Sequence, residues 1–79
     1  MPATVEEVRD LLIEAFPGAD VSVSEEPNNR VGGIIISPEF ESMTARERNR
    51  AITERVRDRL GLKGLNVGIL FPLAPGEQL

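Results

Sequence analysis

The sequence predicts a small α+β domain in which helices cover one face of a three-stranded mixed sheet. Two segments repeat apolar residues at helical spacing, and three others alternate or are continuously apolar, as strands are. The order is helix, strand, strand, short helical turn, helix, strand. The first two strands share a short turn and should be antiparallel, whereas the last two are joined through a helix and should be parallel, with a right-handed crossover.

Length and composition allow one thin-cored domain, spanning 1–79, in which 73–79 is expected to be a tail. The chain has 79 residues, 41% of them hydrophobic, and neither cysteine nor histidine. It therefore has no disulfide and lacks the thiolates and imidazoles that bind soft metals. No basic segment precedes an apolar stretch at the start, and no apolar run approaches the roughly 20 residues of a membrane span. We expect a soluble cytoplasmic protein without membrane association.

The first helix begins at a capping box formed by Thr4 and Glu7. Apolar residues recur along it at helical spacing, and Phe16-Pro17-Gly18 ends it. Two strands should follow. Val21–Ser24 alternates, with both valines inward, and residues 27–29 have the composition of a turn.

The second strand, 31–36, ends in three consecutive isoleucines, which indicate a central strand. Gly32 and Gly33 at its start indicate a bulge or a close approach of another backbone.

The second helix begins at another capping box, Thr44 to Glu47, and should end at Gly61. Its apolar stripe is formed by Ala45, Ile52, Val56 and Leu60, and Asn49 falls on the same stripe. For Asn49 we favour a half-buried amide bonded to the backbone over a binding contact. Glu54 has helix-pair spacing to Arg50 and to Arg57. Six arginines cover the remaining helix surface: Arg46, Arg48, Arg50, Arg55, Arg57 and Arg59.

The last strand should be an alternating one that Pro72 ends, with Leu65, Val67, Ile69 and Phe71 inward. The three aromatic residues of the chain, all phenylalanines, are expected in the core. Residues 61–64 spell the GxxG sequence of KH domains. They precede a strand rather than joining two helices, so we interpret them as a helix cap and turn.

Charge is distributed unevenly, which raises the question of a polyanion partner. Residues 1–42 hold two arginines against nine acidic residues, and residues 43–79 hold seven basic residues against four acidic ones. A basic helix can bind phosphates. A solvated helix beside an acidic one explains the same pattern, and we favour it, because carboxylates interleave with the arginines and no aromatic platform for bases is expected.

Phe40, Ser42, Thr44, Arg48 and Arg50 together resemble the BolA family in residue type and spacing. That family has phenylalanine, a small residue, a hydroxyl residue and then Arg-His-Arg at these positions. Residues 65–67 and 74–77 are more weakly similar to the final strand and the C-terminal end of that family. The resemblance implies an α-β-β-α-α-β fold, BolA-like and similar to class II KH domains.

Members of that family are described as partners of monothiol glutaredoxins that share an iron–sulfur cluster, and some as DNA-binding regulators. This chain departs from the pattern at the cluster ligands. The two family histidines correspond to Asn49 and Asn66, and the loop that often supplies a third ligand reads Pro27-Asn28-Asn29-Arg30. An amide is a poor ligand for iron in such a cluster. We therefore expect no cofactor, no metal site and no cluster ligation by this chain.

The sequence thus favours a non-catalytic, BolA-like interaction and regulatory module, connected by the resemblance with stress response. No nucleophile stands beside a base, so no enzyme and no catalytic residue is expected. The expected partner is a monothiol glutaredoxin-like protein bound without a shared cluster, and the alternative is a KH-like nucleic-acid-binding transcriptional regulator. The chain itself is expected to be a monomer or a weak homodimer. The candidate binding residues are Asn28, Asn29, Arg30, Arg46, Arg48, Asn49, Arg50, Arg55 and Asn66.

Overall fold

The computed structural model describes residues 2–78 and has the predicted α+β architecture. Its helices are α1 (Val5–Ala15) and α2 (Ala45–Leu60), and its strands are β1 (Asp20–Glu26), β2 (Arg30–Ile36) and β3 (Val67–Leu73). Three short 3-10 segments, Pro27–Asn29, Pro38–Ser42 and Gly61–Asn66, connect them. The segment Pro38–Ser42 takes the place of the short helical turn in the predicted element order.

The strand order is β1-β2-β3, and both predicted pairings are confirmed. β1 runs antiparallel to β2, with Val21 opposite Ile35, and β3 runs parallel to β2, with Ile35 opposite Pro72. The β2–β3 register shifts between Val31 and Gly33, but the extra residue lies in β3, because the two steps from Val31 to Gly33 match the three steps from Val67 to Leu70. The close backbone approach, which was the other interpretation of the two glycines, does occur in β2. Gly33 has φ +153°, and a Cβ on it would overlap the carbonyl oxygen of Ser22, so the backbones of β1 and β2 approach closely there.

Both helices begin as their sequences predict. The Thr4 and Thr44 hydroxyls accept from the backbone N–H of Glu7 and Glu47, at 3.1 and 3.2 Å, and both glutamates accept from the threonine N–H in return. The closed box satisfies donors that a helix start otherwise leaves unpaired. α2 ends at Gly61, whose φ of +54° is costly for residues with a Cβ.

The core lies between the two helices and one face of the sheet. Phe16 and Phe40 are fully buried, with ring centroids 5.2 Å apart and rings tilted by 55°. α1 contributes a buried stripe, and Ile35 of β2 lies beneath it. The opposite face of the sheet has no helix over it among residues 2–78.

The inward face predicted for the last strand is right for Val67, which packs against the core, and wrong for Ile69 and Phe71. Leu65, Ile69 and Phe71 are 81%, 66% and 43% exposed, whereas Leu70 is 6% exposed and pairs with Gly33. Val67 and Leu70 both pack toward the core although three positions separate them. A regular strand cannot do this, because alternate residues point to opposite faces, and the register shift supplies the odd residue.

The predicted tail is packed against the domain over most of its length. Leu73 is the last residue of β3, Ala74 is 3% exposed, and the Glu77 carboxylate accepts from the Ala74 N–H at 2.9 Å. Leu79 lies outside the described residues. Within residues 2–78, neither helix is long and apolar enough to cross a bilayer.

Candidate functional site

The arginines of α2 divide into an inward set and an outward set, which the sequence did not distinguish. Arg48 is the most constrained of the inward set, with a side chain only 12% exposed. Its Nε donates to the carbonyls of Phe40 and Met43 at 2.9 and 3.2 Å, and its Nη1 donates to the carbonyl of Pro72 at 3.2 Å. Its Nη1 and Nη2 also donate to the two carboxylate oxygens of Glu77, at 2.6 and 3.0 Å. Arg48, a predicted binding residue, therefore joins elements of the fold.

Glu77 is held as a carboxylate by this arrangement. The hydrogen bond from Arg48, followed by that from the Ala74 backbone, lowers the pKa of Glu77 to about 2. Hydrogen bonds to the charged form stabilise it, and an adjacent cation adds to the effect. The contact joins the chain after β3 to the N-terminal half of α2.

Arg55 and Arg59 complete the inward set because their side chains contact residues outside α2, although the Arg59 side chain is 47% exposed. Arg55, another predicted binding residue, is half-buried, with its guanidinium 5.7 Å from the Phe16 ring centroid. Arg59 pairs with Glu14 of α1 at 2.8 Å, and this hydrogen bond lowers the pKa of the Glu14 carboxyl. Both side chains thus connect α2 to α1.

The outward set is Arg46, Arg50 and Arg57, which we call the basic ridge. Their spacing of four and seven residues places them on one side of α2. All three are exposed, and none makes an ion pair among residues 2–78, so the expected pairs of Glu54 with Arg50 and Arg57 do not form. The ridge is a concentration of positive charge without an ion-pair partner among the described residues, although Arg50 adds to the backbone and side-chain hydrogen bonds from Thr44 that lower the pKa of Glu47.

Asn49 lies beside the ridge and is exposed rather than half-buried as expected. Its Nδ2 donates to the carbonyl of Ala45 at 3.0 Å, so the predicted backbone bond is present. The true apolar seam of α2 runs through Ile52 and Val56, and Asn49 stands at its solvent edge.

A groove of about 560 Å³ lies between α2, the Gly61–Asn66 segment and β3. Ile52, Val56 and Leu70 are 6%, 8% and 6% exposed and form its floor. Two leucines of the Gly61–Asn66 segment, Leu62 and Leu65, line its rim at 84% and 81% exposure. On the α2 side the rim is polar: Asn49, Thr53 and Arg57. We call this the α2–β3 groove. Sequence analysis missed it, and its signal was the exposed pair of leucines around Gly64.

Asn66 and the β1–β2 turn meet on another part of the surface. The Nδ2 of Asn66 donates to the carbonyls of Asn29 and Ala3, at 3.1 and 3.0 Å, and its Oδ1 accepts from the Ala3 N–H at 3.1 Å. Asn28 and Asn29 have φ of +69° and +60°, which asparagine tolerates better than most residues. Arg30 begins β2 opposite Glu26 and is exposed.

The predicted binding residues therefore separate into groups. Asn66, Asn28 and Asn29 come together at the β1–β2 turn, whereas Asn49, Arg46 and Arg50 lie on or near the outer side of α2. No group of three or more acidic side chains among residues 2–78 is arranged to hold a metal ion. No model of a known protein family matches the chain. No curated protein matches it either.

Proposed function

We propose that the protein is a divergent BolA-like interaction module with a regulatory, non-catalytic role, which binds its partner without contributing ligands to an iron–sulfur cluster. One observation carries the proposal. Asn66 stands at the position of one family histidine, and Asn29 belongs to the loop that often supplies a further ligand. The two residues are in contact, with Asn66 Nδ2 3.1 Å from the Asn29 carbonyl oxygen, whereas Asn49, at the position of the other histidine, bonds to Ala45. The α-β-β-α-α-β element order supports the same reading.

The chemistry of this contact supports the loss of cluster ligation. Both polar atoms of the Asn66 side chain are engaged by backbone groups, so the amide stabilises the fold where a ligand would otherwise project. Iron in a sulfide cluster is bound by thiolate or imidazole, and the chain has neither. A monothiol glutaredoxin-like partner would therefore have to be held by surface contacts.

The test is to mix the protein with a cluster-loaded monothiol glutaredoxin and record size-exclusion profiles, visible absorption and circular dichroism. We expect a complex whose cluster spectrum equals that of the glutaredoxin alone. The double variant Asn29→His/Asn66→His is the matched comparison, because it places imidazoles at the two contacting positions and should change the spectrum. A new spectrum with the natural sequence, or no complex at all, would overturn the proposal.

A KH-like nucleic-acid binder is the second candidate, and the unpaired basic ridge favours it. If Arg46, Arg50 and Arg57 each neutralise one phosphate of a single strand, log Kobs should fall with log salt with a slope of about −2. Absence of binding to an oligo-dT strand at low salt rejects this candidate.

A further inference from the structure

We propose that the α2–β3 groove binds an extended peptide segment of a partner protein, one that combines apolar and acidic residues and pairs as an added strand with the free edge of β3. The inference rests on the proposed function, because it names the partner chemistry of an interaction module. The two proposals concern different parts of the surface, because the groove is distinct from the contact of Asn66 with the β1–β2 turn.

The lining of the groove is largely apolar. Its floor is formed by side chains of Ile52, Val56 and Leu70, and its rim presents Leu62 and Leu65 at more than 80% exposure. Large apolar side chains that gather around a concave site mark a binding surface more often than scattered ones do. An occupant with apolar side chains on one side would cover both leucines.

β3 has an edge whose backbone groups pair with no other strand of the sheet that residues 2–78 form. β3 has β2 on one side only. The carbonyl of Leu73 accepts from the Ser37 N–H at 2.9 Å, so Leu73 and, by alternation within the regular part of the pairing, Phe71 direct their backbone groups toward β2. Leu70, which precedes Phe71 in the regular part of the pairing, directs its N–H and carbonyl toward the groove, of which it is a lining residue. Unpaired edges of this kind accept peptide strands.

The free edge has a defined end. Pro72 has no N–H to donate, and its carbonyl accepts from Nη1 of Arg48 at 3.2 Å. An added strand therefore has backbone partners on β3 only before Pro72. This limits the occupant to a short segment and gives Arg48 a second effect, that of closing the edge at its C-terminal end.

Charge selects the kind of peptide. Arg57 lines the groove, and Arg46 and Arg50 extend the basic ridge along the same side of α2 without partners among residues 2–78. Acidic residues in the peptide would meet this ridge. A second copy of the chain is a poorer occupant, because symmetric pairing along β3 brings two basic ridges to one interface.

The experiment selects binders from an unbiased phage-displayed library of short peptides, using the full chain as bait. We expect selected sequences in which apolar residues alternate with aspartate or glutamate. The best of them is then made with a fluorescent label and measured by fluorescence polarisation. Two further peptides carry N-methyl groups, one at the odd-numbered and one at the even-numbered residues. One of them should lose binding and the other should keep it, because only alternate N–H groups of an added strand face β3.

Variants locate the site. Thr53→Trp, which fills the groove, and Arg50→Glu/Arg57→Glu should each lower the affinity for the peptide by about tenfold or more. Leu65→Ser should lower it by about threefold to tenfold. Ile13→Ser and Arg9→Glu are the matched controls, since both residues are exposed on α1, away from the groove, and should change affinity less than twofold. Circular dichroism verifies that each variant is folded.

Several outcomes contradict the inference. These are the absence of selected peptides, a selection rich in lysine and arginine, or equal binding of the two peptides that are N-methylated at alternate sets of residues. The ridge is a nucleic-acid site instead if no peptide binds and oligo-dT binding depends on the arginines alone. In that case Arg50→Glu/Arg57→Glu loses oligo-dT binding, whereas Thr53→Trp and Leu65→Ser keep it. A dimer in sedimentation analysis that Leu65→Ser dissociates assigns the groove to a second copy. If glutaredoxin binds and every groove variant binds it equally, the inference fails while the proposed function stands.

Discussion

The Arg48 guanidinium binds both carboxylate oxygens of Glu77, at 2.6 and 3.0 Å, while its remaining hydrogen bonds go to backbone carbonyls of Phe40, Met43 and Pro72. One side chain of α2 thereby joins the segment before the helix, the end of β3 and the residues after it. Arg48, which the sequence places among the candidate binding residues, thus makes structural contacts within the fold.

Replacing Arg48 should destabilise the protein more than replacing its acidic partner. Arg48→Ala removes the partner of three carbonyls as well as of the carboxylate, whereas Glu77→Ala leaves the carbonyl bonds in place. We expect the order of Tm to be wild type, Glu77→Ala, then Arg48→Ala, by differential scanning calorimetry. Arg50→Ala is the control and should match the wild type, and a fall as large as that of Arg48→Ala would contradict the structural role.

Stability should depend on pH through Glu77. Its pKa is about 2 in the folded protein and 4.5 in its ordinary state, so the folded state binds fewer protons between these values. The contribution is fully present above the ordinary value and is lost as the pH falls toward 2. In urea denaturation followed by circular dichroism, the difference between wild type and Glu77→Gln should be constant near neutral pH and shrink in acid. A difference that grows in acid would contradict the assignment.

The face of β3 can be tested with two neighbouring substitutions. Leu70→Thr should lower the free energy of unfolding by at least about 2 kcal/mol, because it removes buried apolar atoms and buries a hydroxyl. Ile69→Thr should change it by no more than about 0.5 kcal/mol, since Ile69 is 66% exposed and threonine also suits a strand. Chemical denaturation measures both. The reverse order would restore the alternation expected from sequence.

The glycines of the fold should tolerate alanine unequally. Gly18→Ala meets no atom within 4 Å and should cost about 1–2 kcal/mol for its φ of +82° alone. Gly33→Ala combines a φ of +153° with overlap on the backbone of Ser22, so it should cost more than about 3 kcal/mol. Thermal melts of both variants measure the two losses of stability. Similar losses would mean that β1 and β2 can move apart at Gly33 without a cost in stability.

Much of the architecture was predictable because it depends on local pattern and connectivity. Both capping boxes, the asparagine turn, the central isoleucine strand and the two pairing senses follow from short stretches of sequence. The face of β3 was not predictable, because Val67 to Phe71 is apolar at all but one position, and alternation then carries no information.

The candidate binding residues were chosen from the sequence by residue type, and the tertiary structure shows where each of them lies. Arginines and asparagines were recognised as the polar residues of interest, and the absence of soft metal ligands followed from composition alone. Helical spacing separated an apolar seam from a polar surface but could not say which arginines find partners. Arg48 and Arg59 are engaged by Glu77 and Glu14, each at least 29 residues distant in the chain.

By itself the sequence determined the order of elements, the ends of both helices, the sense of strand pairing and the exclusion of thiolate and imidazole chemistry. These depend on neighbours within a few residues and on composition. Only the tertiary structure decided the face of β3, the division of the arginines and the meeting of Asn66 with Asn29. Each of these results from contacts between distant segments, where strand register and packing, rather than local spacing, place one side chain beside another.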